Sequence, residues 1–139
     1  MRYCLTFRLF FMDADRNIQP QIKVGRLKMT IAKAIKRKCA DIYISGNYLK
    51  HISNYHKTEL ESLGINALDY VKLIATNFTQ IRKGSGDSLL LVIYRDEIHD
   101  TAAISLSLNG DIWEVRTAQP RRTKEIERKE LLWSKNKKW

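Results

Sequence analysis

Apolar and polar positions alternate from the start of the chain. Over residues 2–12, Tyr3, Leu5, Phe7, Leu9 and Phe11 fall on one face, the period of a strand. Arg8 interrupts this run, no small-residue cleavage site follows it, and it is too short to span a bilayer. It therefore reads as a first strand or buried edge and not as an export signal. Residues 13–20 are polar and turn-like. Over residues 21–38 the period lengthens: Val24, Leu27, Ile31, Ala34 and Ile35 recur at three and four, which predicts a helix. Residues 40–45 read as a short strand with Ile42 and Ile44 aligned, broken by Gly46. A helix follows over about 48–63, with Leu49, Ile52, His56, Leu60 and Leu63 in one stripe and Gly64 at its C-terminal cap. Asn66 caps another over 67–81, with Asp69 in the capping-box position and Val71, Ile74, Ala75, Phe78 and Ile81 as the buried stripe.

Beyond the flexible exit Lys83-Gly84-Ser85-Gly86 the pattern is that of a sheet. Residues 89–94 form a near-continuous apolar strand. Residues 102–108 and 112–117 form a hairpin around Asn109-Gly110. Residues 130–133 add a last strand, and 134–139 form a basic, mobile tail. The fold class this predicts is α+β, with N-terminal helices packed on a four- to five-stranded antiparallel sheet. No internal repeat and no long linker divides the 139 residues, so one domain is expected, with residues 1–39 as a basic strand/helix extension.

Charge narrows the partners. Lys and Arg total 25 against 15 Asp and Glu, a formal net charge of +10 at pH 7. Such a balance favours polyanions: nucleic acid first, then an acidic protein inhibitor or an anionic membrane surface. The helix predicted over 21–38 carries Lys23, Arg26, Lys28, Lys33, Lys36, Arg37 and Lys38 and no acid. That face reads either as solvated surface or as an electrostatic landing surface. Cys4 and Cys39 have no metal-type spacing and read as free thiols of a reducing compartment, so a cytoplasmic location is expected. Spacing of His, Cys and carboxylates predicts no metal site, and no cofactor is implied.

Several residue types here suit phosphodiester chemistry. RNA supplies its own 2′-hydroxyl nucleophile, so a base, cations and a hydroxyl donor suffice without a metal. His56 reads either as a core histidine or as a catalytic group at a helix–sheet junction. His51 reads as a more open surface residue or as that group, beside Lys50 and with Tyr55 one turn on, positioned to stack on a base. His99 sits in the polar run Asp96-Glu97-Ile98-His99-Asp100, where a role in the turn is the better account. Alternation puts Glu114 and Arg116 on one face of the outgoing strand and Trp113, Val115 and Thr117 on the other. Arg116 is then a surface ion pair with Glu114 or a phosphate grip held by it. Pro120 stiffens the turn presenting Arg121 and Arg122, and Arg95 is placed to join them.

The segments NYLKHISNYH, NALDYVKLIATNFTQIRKG, LLLVIYR and IWEVRTAQPRR, in that order, resemble the barnase/EndoU/colicin/RelE-like (BECR) ribonuclease superfamily, particularly its phage- and mobile-element-borne members. The resemblance covers about residues 40–133. It implies two helices against a four-stranded antiparallel sheet and a toxin or conflict-system effector that cleaves tRNA or mRNA. By position it implies His51 and His56 on the helix, Arg95 on the first long strand, and Arg116, Thr117 and Arg121 near the hairpin end; His51, His56, Arg116 and Thr117 are then the catalytic candidates, and Lys50, Tyr55, Arg95, Arg121 and Arg122 are expected to bind the RNA or its phosphates. Because a cell must restrain an active cytosolic ribonuclease and the positive charge would steer the restraint, an acidic inhibitor or antitoxin is expected as partner, and no membrane association is expected. The alternative class is a non-enzymatic RNA- or protein-binding factor.

Overall fold

In the computed structural model, which describes residues 21–135, seven strands form one sheet in the order β1-β2-β6-β5-β4-β3-β7. The elements are β1 (Gln21–Leu27), α1 (Met29–Ile35), β2 (Ala40–Ser45), α2 (Gly46–Tyr55), α3 (Lys57–Leu63), α4 (Ala67–Asn77), β3 (Gln80–Lys83), β4 (Leu89–Ile93), β5 (Ile98–Leu106), β6 (Trp113–Arg122), α5 (Thr123–Glu127) and β7 (Leu131–Ser134). All neighbouring pairs are antiparallel except β2 and β6, which run parallel. The expected α+β class therefore needs correction in its architecture. The sheet is larger and mixed, and helices and strands interleave through the first half of the chain. The four-stranded antiparallel sheet implied by the resemblance is likewise not what the chain forms.

Two segments carry the difference. Residues 21–38 were expected to be one helix, yet their first half is β1. The register between β1 and β2 shifts between Lys23 and Gly25, so Val24 is an extra residue in a bulge. The bulge places Val24 and Leu27, three residues apart, on the same buried face, which imitates a helical period. Gly25 sits there because α4 passes close by: a Cβ on it would lie 2.9 Å from both Cβ and O of Ala75. Only Met29–Ile35 is helical, and Lys36, at φ 58°, ends it in the left-handed region. The second segment is 67–81. Asn66 caps α4 as expected, its Oδ1 accepting the Asp69 N–H at 2.8 Å, but the helix stops at Asn77. There the Asn77 Nδ2 and Thr76 Oγ1 donate to the carbonyls of Leu73 and Lys72. Phe78 leaves in an extended conformation, and Ile81 fills its core position from β3.

The helix expected over 48–63 is two helices meeting at His56 (φ −122°, ψ 27°), and Gly64 caps the second at φ 69°. In β6 a second bulge makes Arg116 the extra residue, since Ala103 faces Thr117 while Ile104 faces Val115. Core positions then run Trp113, Val115, Ala118, and Thr117, expected to be on their face, is only half-buried. The main core joins both ends of the described chain: Val24, Leu27, Ala32 and Ile35 share one buried cluster with Ile42, Val71, Leu91, Ile104 and Trp113. The Trp113 indole donates to the Lys38 carbonyl at 2.8 Å, tying the α1–β2 connection to β6. A smaller cluster of Leu90, Val92 and Ile126 seats α5. Among the described residues no helix is long and apolar enough to cross a membrane. The strand expected over 2–12 and most of the expected tail lie outside the described residues.

Candidate functional site

Where β5 begins and β6 ends, the sheet and two short helices enclose a cleft of about 450 Å³. The register brings Ile98 opposite Arg122, and Asp100 opposite Pro120. α3 adds Glu59, Ser62 and Leu63, and α5 adds Glu125. Leu63 and Ile98 are each about half exposed, so the rim offers apolar surface beside the charges. A volume of this size suits a small ligand or one nucleotide unit.

The floor of the cleft is rigid. Asp100 is buried, its Oδ1 accepting the Tyr70 hydroxyl at 2.9 Å and its Oδ2 accepting Arg95 Nε at 3.0 Å and Nη2 at 2.9 Å. Burial, and then the Asp100 carboxylate, push the Tyr70 phenol far above its ordinary value, so it remains a donor. Behind this, His99 is fully buried. Its Nδ1 accepts the Arg95 N–H at 2.8 Å, so the ring proton is on Nε2 and donates to Thr123 Oγ1 at 2.7 Å. The ring also stacks on Tyr94 with centroids 4.2 Å apart. Burial lowers the His99 pKa, and the neutral ring works as a clamp on the β4–β5 turn.

One wall carries Glu59, in the first turn of α3. Its carboxylate bonds its own backbone N–H and faces His56 Nδ1 at 3.4 Å, and these two contacts lower its pKa. The other wall carries Arg121 and Arg122. The Arg122 N–H donates to Glu125 Oε1 at 3.0 Å. Arg121 Nε is out of solvent and has no hydrogen-bond partner among the described residues. A buried unpaired donor costs about 1–3 kcal/mol, so an acceptor oxygen brought there would recover stability.

Of the residues singled out from sequence, Arg121 and Arg122 line the cleft, while His56 and Arg95 reach it only through Glu59 and Asp100. The structure places Arg116 elsewhere: five positions before Arg121 on β6 is roughly 16 Å along an extended strand. The Arg116 guanidinium is committed on every nitrogen, Nε to Ser105 Oγ (2.7 Å), Nη1 to the Tyr48 hydroxyl (2.9 Å) and Nη2 to Glu114 Oε1 (3.0 Å). The expected Glu114–Arg116 pair is present, and it serves to join α2, β5 and β6. Thr117 flanks Arg116 and does not line the cleft. Lys50 and His51 are exposed on α2 and do not line it either. Tyr55 ends α2, and its side chain lies outside the described part of the structure. His56 is not within a helical stripe but at the α2–α3 junction. Sequence reasoning missed Glu59, Tyr70 and the anchoring role of Asp100. A signal for Glu59 was present in its place three residues after His56, within reach on a first helical turn.

Among the described residues no cluster of three or more His, Cys, Asp or Glu side chains is placed to hold a metal ion. The chain matches no family model, no curated protein and no solved structure.

Proposed function

We propose that the protein is a metal-independent endoribonuclease acting at the α3–β6 cleft. The observation that carries the reading is the cleft lining: on one wall the Glu59 carboxylate, its pKa lowered by its own backbone N–H and by His56 behind it, and on the other Arg121, with a buried unpaired Nε–H, and Arg122. In this reaction Glu59 takes the proton of the 2′-hydroxyl and the 2′-oxygen attacks phosphorus. The bond to the 5′-oxygen breaks, that oxygen takes a proton from solvent, and a 2′,3′-cyclic phosphate remains. Arg121 and Arg122 carry the charge developing on the phosphoryl oxygens. His56 acts through Glu59, holding it ionised. The excess of 10 positive charges would draw RNA, whether tRNA or mRNA, toward the cleft. An active cytoplasmic ribonuclease of this kind, whether toxin or conflict effector, requires an acidic inhibitor or antitoxin, which the same charge would steer.

RNA binding without cleavage is the second reading, and one observation favours it. The His56 side chain is only 14% exposed and lies outside the cleft lining, so no imidazole meets a substrate there directly. Incubation with total RNA in excess EDTA separates the two. Cyclic phosphate ends that disappear in both Glu59→Gln and Arg121→Ala support the nuclease. Binding without new ends, weakened in Arg121→Ala, supports the binding protein. Failure of the folded chain either to bind or to cut RNA refutes both.

A further inference from the structure

A second cavity, larger than the cleft, opens between α1, the end of α4 and β7. It encloses about 660 Å³ and contains none of the residues of the nuclease reading. Its apolar lining includes Ile31, Phe78 and Trp133, the two rings meeting edge to face with centroids 5.7 Å apart. Its charged lining is all of one sign: Arg26, Lys28 and Lys135, with no carboxylate among the described lining residues. Arg26 is already spoken for, since its Nη1 meets Asp41 at 2.7 Å and its Nη2 meets Cys39 Sγ at 3.4 Å. Lys28 and Lys135 are exposed at their side chains. The cavity therefore combines an aromatic interior with a cationic rim, and a ligand that satisfies both is a flat ring carrying an anion.

We propose that this cavity is a nucleotide-binding site: the base lies against Phe78 and Trp133, and the phosphate is held by Lys28 and Lys135. Ring stacking supplies about 1–3 kcal/mol per base and tolerates any base, so the site selects the class and not the letter. The lysines act as point charges on the phosphate, which makes the affinity fall with salt. The inference does not depend on the cleavage reaction, because the site is lined by different residues and its test is a binding measurement.

The experiment is a titration of the full chain with AMP, read by tryptophan fluorescence. Trp113 is fully buried, and Trp133 lines the cavity, so Trp133→Leu assigns the signal. Saturable quenching is expected, with adenosine and ribose 5-phosphate each binding at least tenfold more weakly than AMP. The double variant Lys28→Ala/Lys135→Ala, two exposed side chains whose loss spares the core, should also bind AMP at least tenfold more weakly at an unchanged unfolding midpoint. Adenosine binding as well as AMP would overturn the proposal, since the cations would then contribute nothing. Ribose 5-phosphate binding as well as AMP would overturn it from the other side. Decanoate binding more tightly than AMP would make the occupant an acyl anion and refute the nucleotide. A short oligoadenylate that binds at least tenfold more tightly than AMP supports a nucleotide within a strand, and equal or weaker binding supports a free mononucleotide.

Discussion

Replacing Asp100 by Ala tests whether the cleft is held by a buried polar anchor or performs chemistry with it. Asp100 receives the Tyr70 hydroxyl and both Nε and Nη2 of Arg95. Tyr70 is 1% exposed, so the substitution strands its hydroxyl away from water, at about 1–3 kcal/mol. The Arg95 side chain is 53% exposed and can return to solvent, so that half of the interaction is worth only about 0–1 kcal/mol. Together the expected loss is about 1–4 kcal/mol, or roughly 10 °C in the midpoint of a chain of this size. Urea unfolding followed by circular dichroism measures it directly. Tyr70→Phe alone should cost about 1 kcal/mol. Combined with Asp100→Ala it should restore part of the loss, because no hydroxyl then remains stranded, which gives a coupling of about 1–2 kcal/mol. A loss under about 0.5 kcal/mol with no coupling would refute the anchor. Abolished RNA cleavage at unchanged stability would move Asp100 from support to chemistry.

Three further outcomes follow from particular contacts. Arg116→Met should lower stability by about 1–3 kcal/mol, through the bonds to Ser105, Tyr48 and Glu114, while RNA cleavage per folded molecule stays within twofold; a tenfold fall in turnover at constant midpoint would make it catalytic. Gly25→Ala should cost about 1–3 kcal/mol because its Cβ meets Ala75, and adding Ala75→Gly should recover only part, since the Ala75 carbonyl remains 2.9 Å away; full recovery or no initial loss would remove the close-approach argument. The His99 pKa is lowered in the folded chain, so the unfolded chain takes up the proton first: stability is intact above about pH 6.5 and declines as pH falls below it. His99→Asn should flatten that decline between pH 7.5 and 5, and an unaltered decline would rule out the clamp.

Elements whose pattern came from local chemistry were legible in the sequence. Residues 40–45 form β2 over the expected span, Asn66 and Gly64 cap as expected, and the Asn109-Gly110 turn joins β5 to β6 with Gly110 at φ 75°. What was not legible came from bulges and long-range pairing. Val24 and Leu27 share a face three residues apart only because Gly25 admits α4 against β1. Phe78 and Ile81 continue the helical stripe of α4 by spacing, yet they belong to the exit from the helix and to β3. The single parallel pair among the described strands, β2 with β6, joins residues separated by six intervening helices and strands, and periodicity carries no information about it. The cleft inherits the same limit: Arg121 and Arg122 were visible as cations after a strand, but their facing partner Glu59 comes from a helix whose start depends on the break at His56.

The two bulges also account for which arginines became structural. A regular β6 would put Arg116 opposite a residue of β5 and in step with Ala118 and Pro120. The extra residue at Arg116 shifts the strand by one, so that Ala118 takes the core position and Arg116 turns to Tyr48, Ser105 and Glu114. Past the bulge, the register sets Ile98 opposite Arg122 and His99 opposite Arg121, beside the turn that His99 clamps. Deleting one residue between Val115 and Ala118 would remove the bulge and restore plain alternation, with Trp113, Val115 and Ala118 still on the core face and the ties of Arg116 lost. The bulge therefore marks where β6 passes from closing the core with Trp113 and Val115 to lining the cleft with Pro120, Arg121 and Arg122.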